Sequence, residues 1–115
     1  MKKLLSMSIA FAVLIGVLLG NFLLMAPVLA ADLEQGAQVF SVHCVGCHVN
    51  GGNIVRRGKN LKLKTLERNG LDSVEAIAQL VTNGKGIMSA YGDRLTEAEI
   101  QNVSAYVLKQ AEQGW

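Results

Sequence analysis

The chain is poor in cysteine, histidine and proline, with two, two and one of them in 115 residues. The two cysteines form a single pair, and no second pair exists to complete a zinc tetrahedron. Charge is missing over a long opening stretch, from Leu4 through Ala31, with Lys2 and Lys3 before it and Asp32 after it. Beyond that stretch there is no strand alternation, internal repeat or low-complexity tract. A thioredoxin-like parallel sheet therefore has no pattern to rest on. Net charge is also lacking. Eleven basic residues face nine acidic ones, and Lys2 and Lys3 supply the whole excess, so residues 31–115 are formally neutral and nothing suggests nucleic acid.

The uncharged opening reads as an export signal. Ile9 to Leu19 forms its apolar core, and Val28-Leu29-Ala30 places small residues for cleavage before Ala31. An uncleaved anchor is the competing reading, because the span is long enough to cross a bilayer. Gly20-Asn21 and Pro27 weaken it as one continuous helix. The expected organisation is a cleaved signal over residues 1–30 and one small domain over 31–115, with no stable membrane insertion after cleavage.

What the chain does contain is concentrated in Cys44-Val45-Gly46-Cys47-His48. Two thiols one helical turn apart, with an imidazole beside the second, form the attachment signature of a c-type haem. On a helix, residues three apart share a face, so both sulfurs reach one edge of a porphyrin and His48 is placed to ligate the iron. Two other readings use the same residues: a thiol oxidoreductase pair and half of a zinc site. The only other histidine, His43, directly precedes the motif. A domain of this size has a marginal peptide core, and a buried haem would act as the missing part of it.

The rest of the domain reads as helices joined by glycine-rich loops. Asp32 caps a first helix, on which Leu33, Gly36, Ala37, Phe40 and Cys44 follow helical spacing, with Gly36 leaving room for a close crossing. Asn50-Gly51-Gly52-Asn53 is turn chemistry, and Arg56-Arg57-Gly58-Lys59 reads as charged and flexible. A carbonyl of this loop is expected to accept the free N–H of His48. A short helix covers Lys62 to Asn69. Asp72 with Glu75 caps the next, which carries Val74, Ile77, Ala78 and Val81 to Asn83-Gly84. Thr96 with Glu99 opens a last helix, where Tyr106 is set to pack on Phe40.

Met88 stands between glycines, forty residues past His48, and is the one methionine of residues 31–115. Lone methionines are commonly core filler, whereas this loop position suits a thioether ligand. His43 is the competing iron ligand, with a solvated side chain as its alternative. Tyr91 and Trp115 read as packing residues. Arg56, Arg57, Lys59, Lys62 and Lys64 form either a docking patch or a solvated face.

From Ala31 onward the sequence resembles a class I cytochrome c, and within that class the cytochrome c6 (soluble cytochrome c-553) family of cyanobacteria and algal plastids. The matching residues are Ala31-Asp32-Leu33, Gly36, Phe40, the haem motif, Gly51-Gly52-Asn53, Gly84-Lys85, Met88, Arg94-Leu95-Thr96, Ala105-Tyr106-Val107-Leu108 and Gly114-Trp115. The resemblance implies an all-α fold, about four helices wrapped around one haem c attached through Cys44 and Cys47, with His48 and Met88 as axial ligands. It implies a soluble, monomeric one-electron carrier and not an enzyme. Such a carrier takes electrons from the cytochrome bf complex to photosystem I or a terminal oxidase, in the thylakoid lumen or the cyanobacterial periplasm. A gas sensor, a peroxidase-like enzyme and a haem-free disulfide module are the competing classes. Two positions depart from the family: Ser89 where proline commonly follows the ligand methionine, and Leu80 where many photosynthetic members have glutamine. Both bear on the potential, and suggest a lower-potential auxiliary carrier as the alternative function.

Overall fold

The computed structural model describes residues 1–22 and 30–115. It divides into two units, Met1–Ala30 and Ala31–Trp115. In the first unit, helix α1 (Lys2–Phe22) runs through Gly20 and Asn21, so that pair does not interrupt it. Pro27 and two residues of the expected cleavage motif, Val28 and Leu29, lie outside the described residues.

The second unit is built from α2 (Leu33–His43), a single turn α3 (Val45–His48), α4 (Leu63–Arg68), α5 (Val74–Asn83) and α6 (Glu97–Gln113). Among the described residues the only β-type pairing is an isolated bridge between Lys85 and Met88. The all-α expectation holds. Asp32 starts α2 by accepting the Gln35 N–H at 3.0 Å. Thr96 and Glu99 form the full reciprocal capping box on α6, a device that contributes about 1 kcal/mol. The cap of α5 differs from the expectation. Ser73, not Asp72, accepts from Ala76 N–H at 3.2 Å, because the helix starts at Val74, one residue later than an Asp72 cap requires.

The core sits where α2 and α5 pack on α6. Phe40, Ile77, Val81, Ile100, Val103 and Val107 are all buried in it, each contributing roughly 1.5–3 kcal/mol of apolar burial. Gly36 allows the α2–α6 crossing, since a Cβ there would lie 2.2 Å from the Asn102 carbonyl oxygen. Asn102 fastens the same crossing by accepting the Asp32 N–H at 2.9 Å and donating to the Gln35 side chain. Phe40 and Tyr106 pack as expected, with ring centroids 5.5 Å apart. One polar group is stranded in this core: Ser104 is fully buried and its Oγ has no hydrogen-bond partner.

Candidate functional site

The haem motif straddles a break between helices and does not run along one continuous helix. Cys44 N–H still bonds the Phe40 carbonyl at 2.9 Å, closing α2. Cys44 then leaves helical register and opens α3, accepting from His48 N–H at 2.9 Å. The one-turn spacing of the two thiols survives in α3. Their environments differ, since Cys44 is half-buried and Cys47 is exposed.

Cys44, His48 and Met88 line one cleft. Its floor is apolar: Phe40 from α2, Leu66 from α4, Ile77, Leu80 and Val81 from α5, and Val103 and Val107 from α6. Asn53, Arg56, Lys59, Asn60 and Lys85 contribute polar groups to its wall, and no carboxylate does. Cys47 and His43 are not part of that wall. His43 is exposed, with its ring 5.8 Å from that of Tyr91, whereas Met88 lines the cleft with His48.

The His48 ring is oriented as expected. Its Nδ1 lies 2.8 Å from the Gly52 carbonyl oxygen. A carbonyl can only accept, so Nδ1 carries the proton and Nε2 is left with the lone pair a metal needs. The Gly52 carbonyl is set by a tight turn, in which Gly52 N–H bonds the Val49 carbonyl at 2.9 Å and Asn50 adopts φ +50°. The rest of this loop is more organised than its charge suggested. Asn53 Oδ1 accepts from Val55 and Arg56 N–H at 3.0 and 2.7 Å, its Nδ2 donates to the Lys59 carbonyl at 3.0 Å, and Asn60 bonds Arg57 and Lys62.

The Met88 loop is likewise tied down. Met88 and Lys85 exchange two backbone hydrogen bonds of 3.1 and 3.0 Å around Gly86, whose φ is +59°. Beyond it, Tyr91 N–H and Gly92 N–H bond the Val81 and Thr82 carbonyls at the end of α5. Tyr91 Oη donates to the His43 carbonyl at 3.0 Å, and Arg94 lies 4.6 Å over its ring. Tyr91 therefore does more than pack. The same is true of Trp115, whose Nε1 donates to the Leu61 carbonyl at 2.9 Å.

Burial pushes the Cys44 thiol up to about 11. A catalytic dithiol needs a depressed pKa to present thiolate, so this environment argues against the oxidoreductase reading. An apolar cleft with an imidazole presenting Nε2, a thioether and an adjoining thiol suits the haem that the motif announces. When bound, that group supplies reversible one-electron chemistry between ferric and ferrous iron. The wall residues missed by sequence reasoning are chiefly Asn53, Asn60 and Lys85. The turn-forming character of Asn-Gly-Gly-Asn was the available signal for the first.

A family model described as "Cytochrome C oxidase, cbb3-type, subunit III" matches residues 31–107. The chain is 64% identical over 89 residues to a cytochrome c6-like protein of Nostoc sp. PCC 7120, covering 77% of this chain and 80% of that one. It is 43% identical over 115 residues, the full length of both, to cytochrome c6 of Gloeothece citriformis. The crystal structure of cytochrome c6C from Synechococcus sp. PCC 7002 superposes with a TM-score of 0.69 at 67% identity, covering 70% of this chain and 99% of that one.

Proposed function

The chain belongs to the cytochrome c6 family, and on that premise we propose that it carries single electrons through one haem c held by Cys44, Cys47, His48 and Met88. Members of this family carry one covalently bound c-type haem and serve as electron carriers. The observation that carries the reading is the convergence of Cys44, His48 and Met88 on a single apolar cleft. In this assignment the two thiols would anchor the ring, His48 Nε2 and the Met88 sulfur would be the two protein donors to the iron, and the apolar floor would keep water out. With both donors supplied by the protein, the iron would have no free site for oxygen or peroxide, and the wall offers no carboxylate to act as a base. A carrier fits this arrangement better than an enzyme or a gas sensor.

The exposed Arg56, Arg57, Lys59, Lys62 and Lys64 suit an acidic partner surface beside the cleft, to which Arg56 and Lys59 also contribute. The partners we assign are the cytochrome bf complex as donor and photosystem I or a terminal oxidase as acceptor. The setting is the thylakoid lumen or the periplasm, reached after removal of residues 1–30, and the working form is a monomer. A second reading is supported by Leu80, an apolar side chain on the cleft wall with Met88, and by Ser89 in place of a stiffening proline. Loss of an amide donor and of loop rigidity lowers the potential, making the protein an auxiliary carrier with another partner.

One experiment tests both. The mature protein from a maturation-competent host is weighed under denaturing conditions, its spectrum recorded with and without carbon monoxide, and its potential titrated alongside Leu80→Gln and Ser89→Pro. The reading expects a haem mass on a chain starting at Ala31, a low-spin spectrum unaltered by carbon monoxide, and midpoints raised by both substitutions. Absence of the haem mass refutes the carrier. Unchanged midpoints refute only the auxiliary role, and a chain starting at Met1 refutes the cleavage.

A further inference from the structure

One aromatic residue outside the ligand set connects to the axial imidazole through an unbroken chain of contacts. Trp115 follows Gly114, whose left-handed backbone at φ +93° ends α6. The N–H groups of Gly114 and Trp115 both bond the Gln110 carbonyl, at 2.9 and 3.0 Å. This reversal lays the indole against Phe40 and Tyr106, with ring centroids 5.3 and 6.4 Å away. It also lays it on the backbone of Gly51, where a Cβ would stand 2.4 Å from the indole Cγ and Cδ2. Only glycine permits that approach.

Two hydrogen bonds lock the contact. The indole Nε1–H donates to the Leu61 carbonyl at 2.9 Å, and Leu61 N–H donates to the Gly51 carbonyl at 2.7 Å. The next residue, Gly52, supplies the carbonyl that holds His48 Nδ1–H at 2.8 Å. The indole thus grips the loop twice, once over Gly51 and once through Leu61, immediately beside the acceptor that orients the ring.

We propose that Trp115 is a positioning residue for His48. Its indole fixes the Gly51–Gly52 peptide, so that the Gly52 carbonyl keeps the Nδ1 proton and Nε2 stays presented to the cleft. A firm acceptor at Nδ1 makes the imidazole a stronger donor, which favours ferric iron. Asn53 and Asn60 fasten the later part of this loop, whereas Trp115 and Leu61, itself held by the indole N–H, reach Gly51. The inference rests on His48 being the axial ligand.

The test compares wild type with Trp115→Phe, which keeps an aromatic ring beside Phe40 and Tyr106 and removes the N–H donor. Gly51→Ala is the second variant, displacing the indole from the other side. Ser73→Ala is the control, because it removes the α5 cap and lowers stability without touching the loop. All are measured haem-loaded, and a wild type without the haem mass or the low-spin spectrum would sink the site assignment rather than the role of Trp115. NMR then follows solvent exchange of the His48 Nδ1 proton, and potentiometry the midpoint. Trp115→Phe and Gly51→Ala should exchange that proton about tenfold faster, the scale of losing one hydrogen bond's worth of closure, and should shift the midpoint upward. Ser73→Ala should leave both at the wild-type values. Exchange and midpoint unchanged in Trp115→Phe, or changed equally in Ser73→Ala, overturn the proposal.

Discussion

Replacing Gly36 by alanine tests the helix crossing on which the core depends. The new Cβ would sit 2.2 Å from the Asn102 carbonyl oxygen, 2.7 Å from its carbon and 2.8 Å from the Tyr106 Cβ. Carbon and oxygen settle no closer than about 3.3 Å, so α2 and α6 must part by roughly 1 Å. A gap of that size forfeits a quarter to a half of each dispersion contact across the interface. It also stretches the 2.9 Å bond from Asp32 N–H to Asn102 and loosens the Phe40–Tyr106 pair. Overpacking of this kind costs about 1–3 kcal/mol, and the weakened polar and aromatic contacts add about 1–2. Alanine regains about 1 kcal/mol of helix propensity. The net expectation is a loss of about 1–4 kcal/mol, or a melting temperature lower by about 4–30 °C for a domain of this length. Thermal and urea unfolding of the haem-loaded domain, followed by circular dichroism, measures it. Gly58→Ala, where nothing lies within 4 Å, should stay within about 1 kcal/mol of wild type. A Gly36→Ala variant as stable as wild type would refute the claim that the crossing needs a bare backbone.

Met88→Ala should open the sixth position, lower the midpoint and admit carbon monoxide, all visible by absorption; an unaltered spectrum would move the ligand elsewhere. Hydrogen bonds from the Thr96 backbone N–H and then its hydroxyl hold the Glu99 carboxyl below its ordinary value of 4.5, with the charge of His43 a lesser contribution. Its stabilisation is therefore present above the unfolded pKa and disappears as pH falls through the depressed folded one. The melting-temperature gap between wild type and Glu99→Gln should be constant near neutrality and close as the pH falls below the ordinary value of 4.5 and through the depressed folded one, and a gap independent of pH would contradict the cap's charge. Ser104→Ala should raise stability by about 1–2 kcal/mol, because it deletes a buried hydroxyl without a partner. A loss of stability in urea unfolding would mean that the hydroxyl is satisfied after all.

Local rules made much of the domain legible. Asp32, Thr96 and Glu99 announce helix starts through side chains that satisfy donors within three residues, and Ile77, Val81, Val103 and Val107 carry helical period on one buried face. Gly36 could be read as a crossing because a small residue amid larger ones signals close approach. The break at Cys44 was not legible, since Phe40 to His48 keeps helical spacing and only tertiary packing decides where the axis turns. Nor was the order in the Arg56–Lys59 loop, which comes from the Asn53 and Asn60 amides acting across up to six residues. The roles of Tyr91 and Trp115 rest on bonds to carbonyls 48 and 54 residues away, a separation at which no periodicity informs. The sequence pointed to a carbonyl of the loop after His48 as the acceptor for its N–H, but not to Gly52 in particular, nor to the Lys85–Met88 turn that holds the Met88 backbone.

The α2–α6 crossing also sets an order of events during maturation. Gln35 meets Asn102 across 67 residues of chain, and closing so long a loop costs about 4 kcal/mol in lost chain freedom. Synthesis delivers the amino end first, so Cys44 and Cys47 are made before α6, the helix that packs on α2. During that interval the Cys44 sulfur is wet, and its pKa is that of an ordinary thiol. In the folded domain Cys44 is half-buried, and that burial pushes its thiol up to about 11. Attachment at Cys44, as proposed, is therefore easier before closure, while its thiolate forms more readily. The cost of bringing the two ends together is thus part of what keeps the thiols accessible until the domain folds.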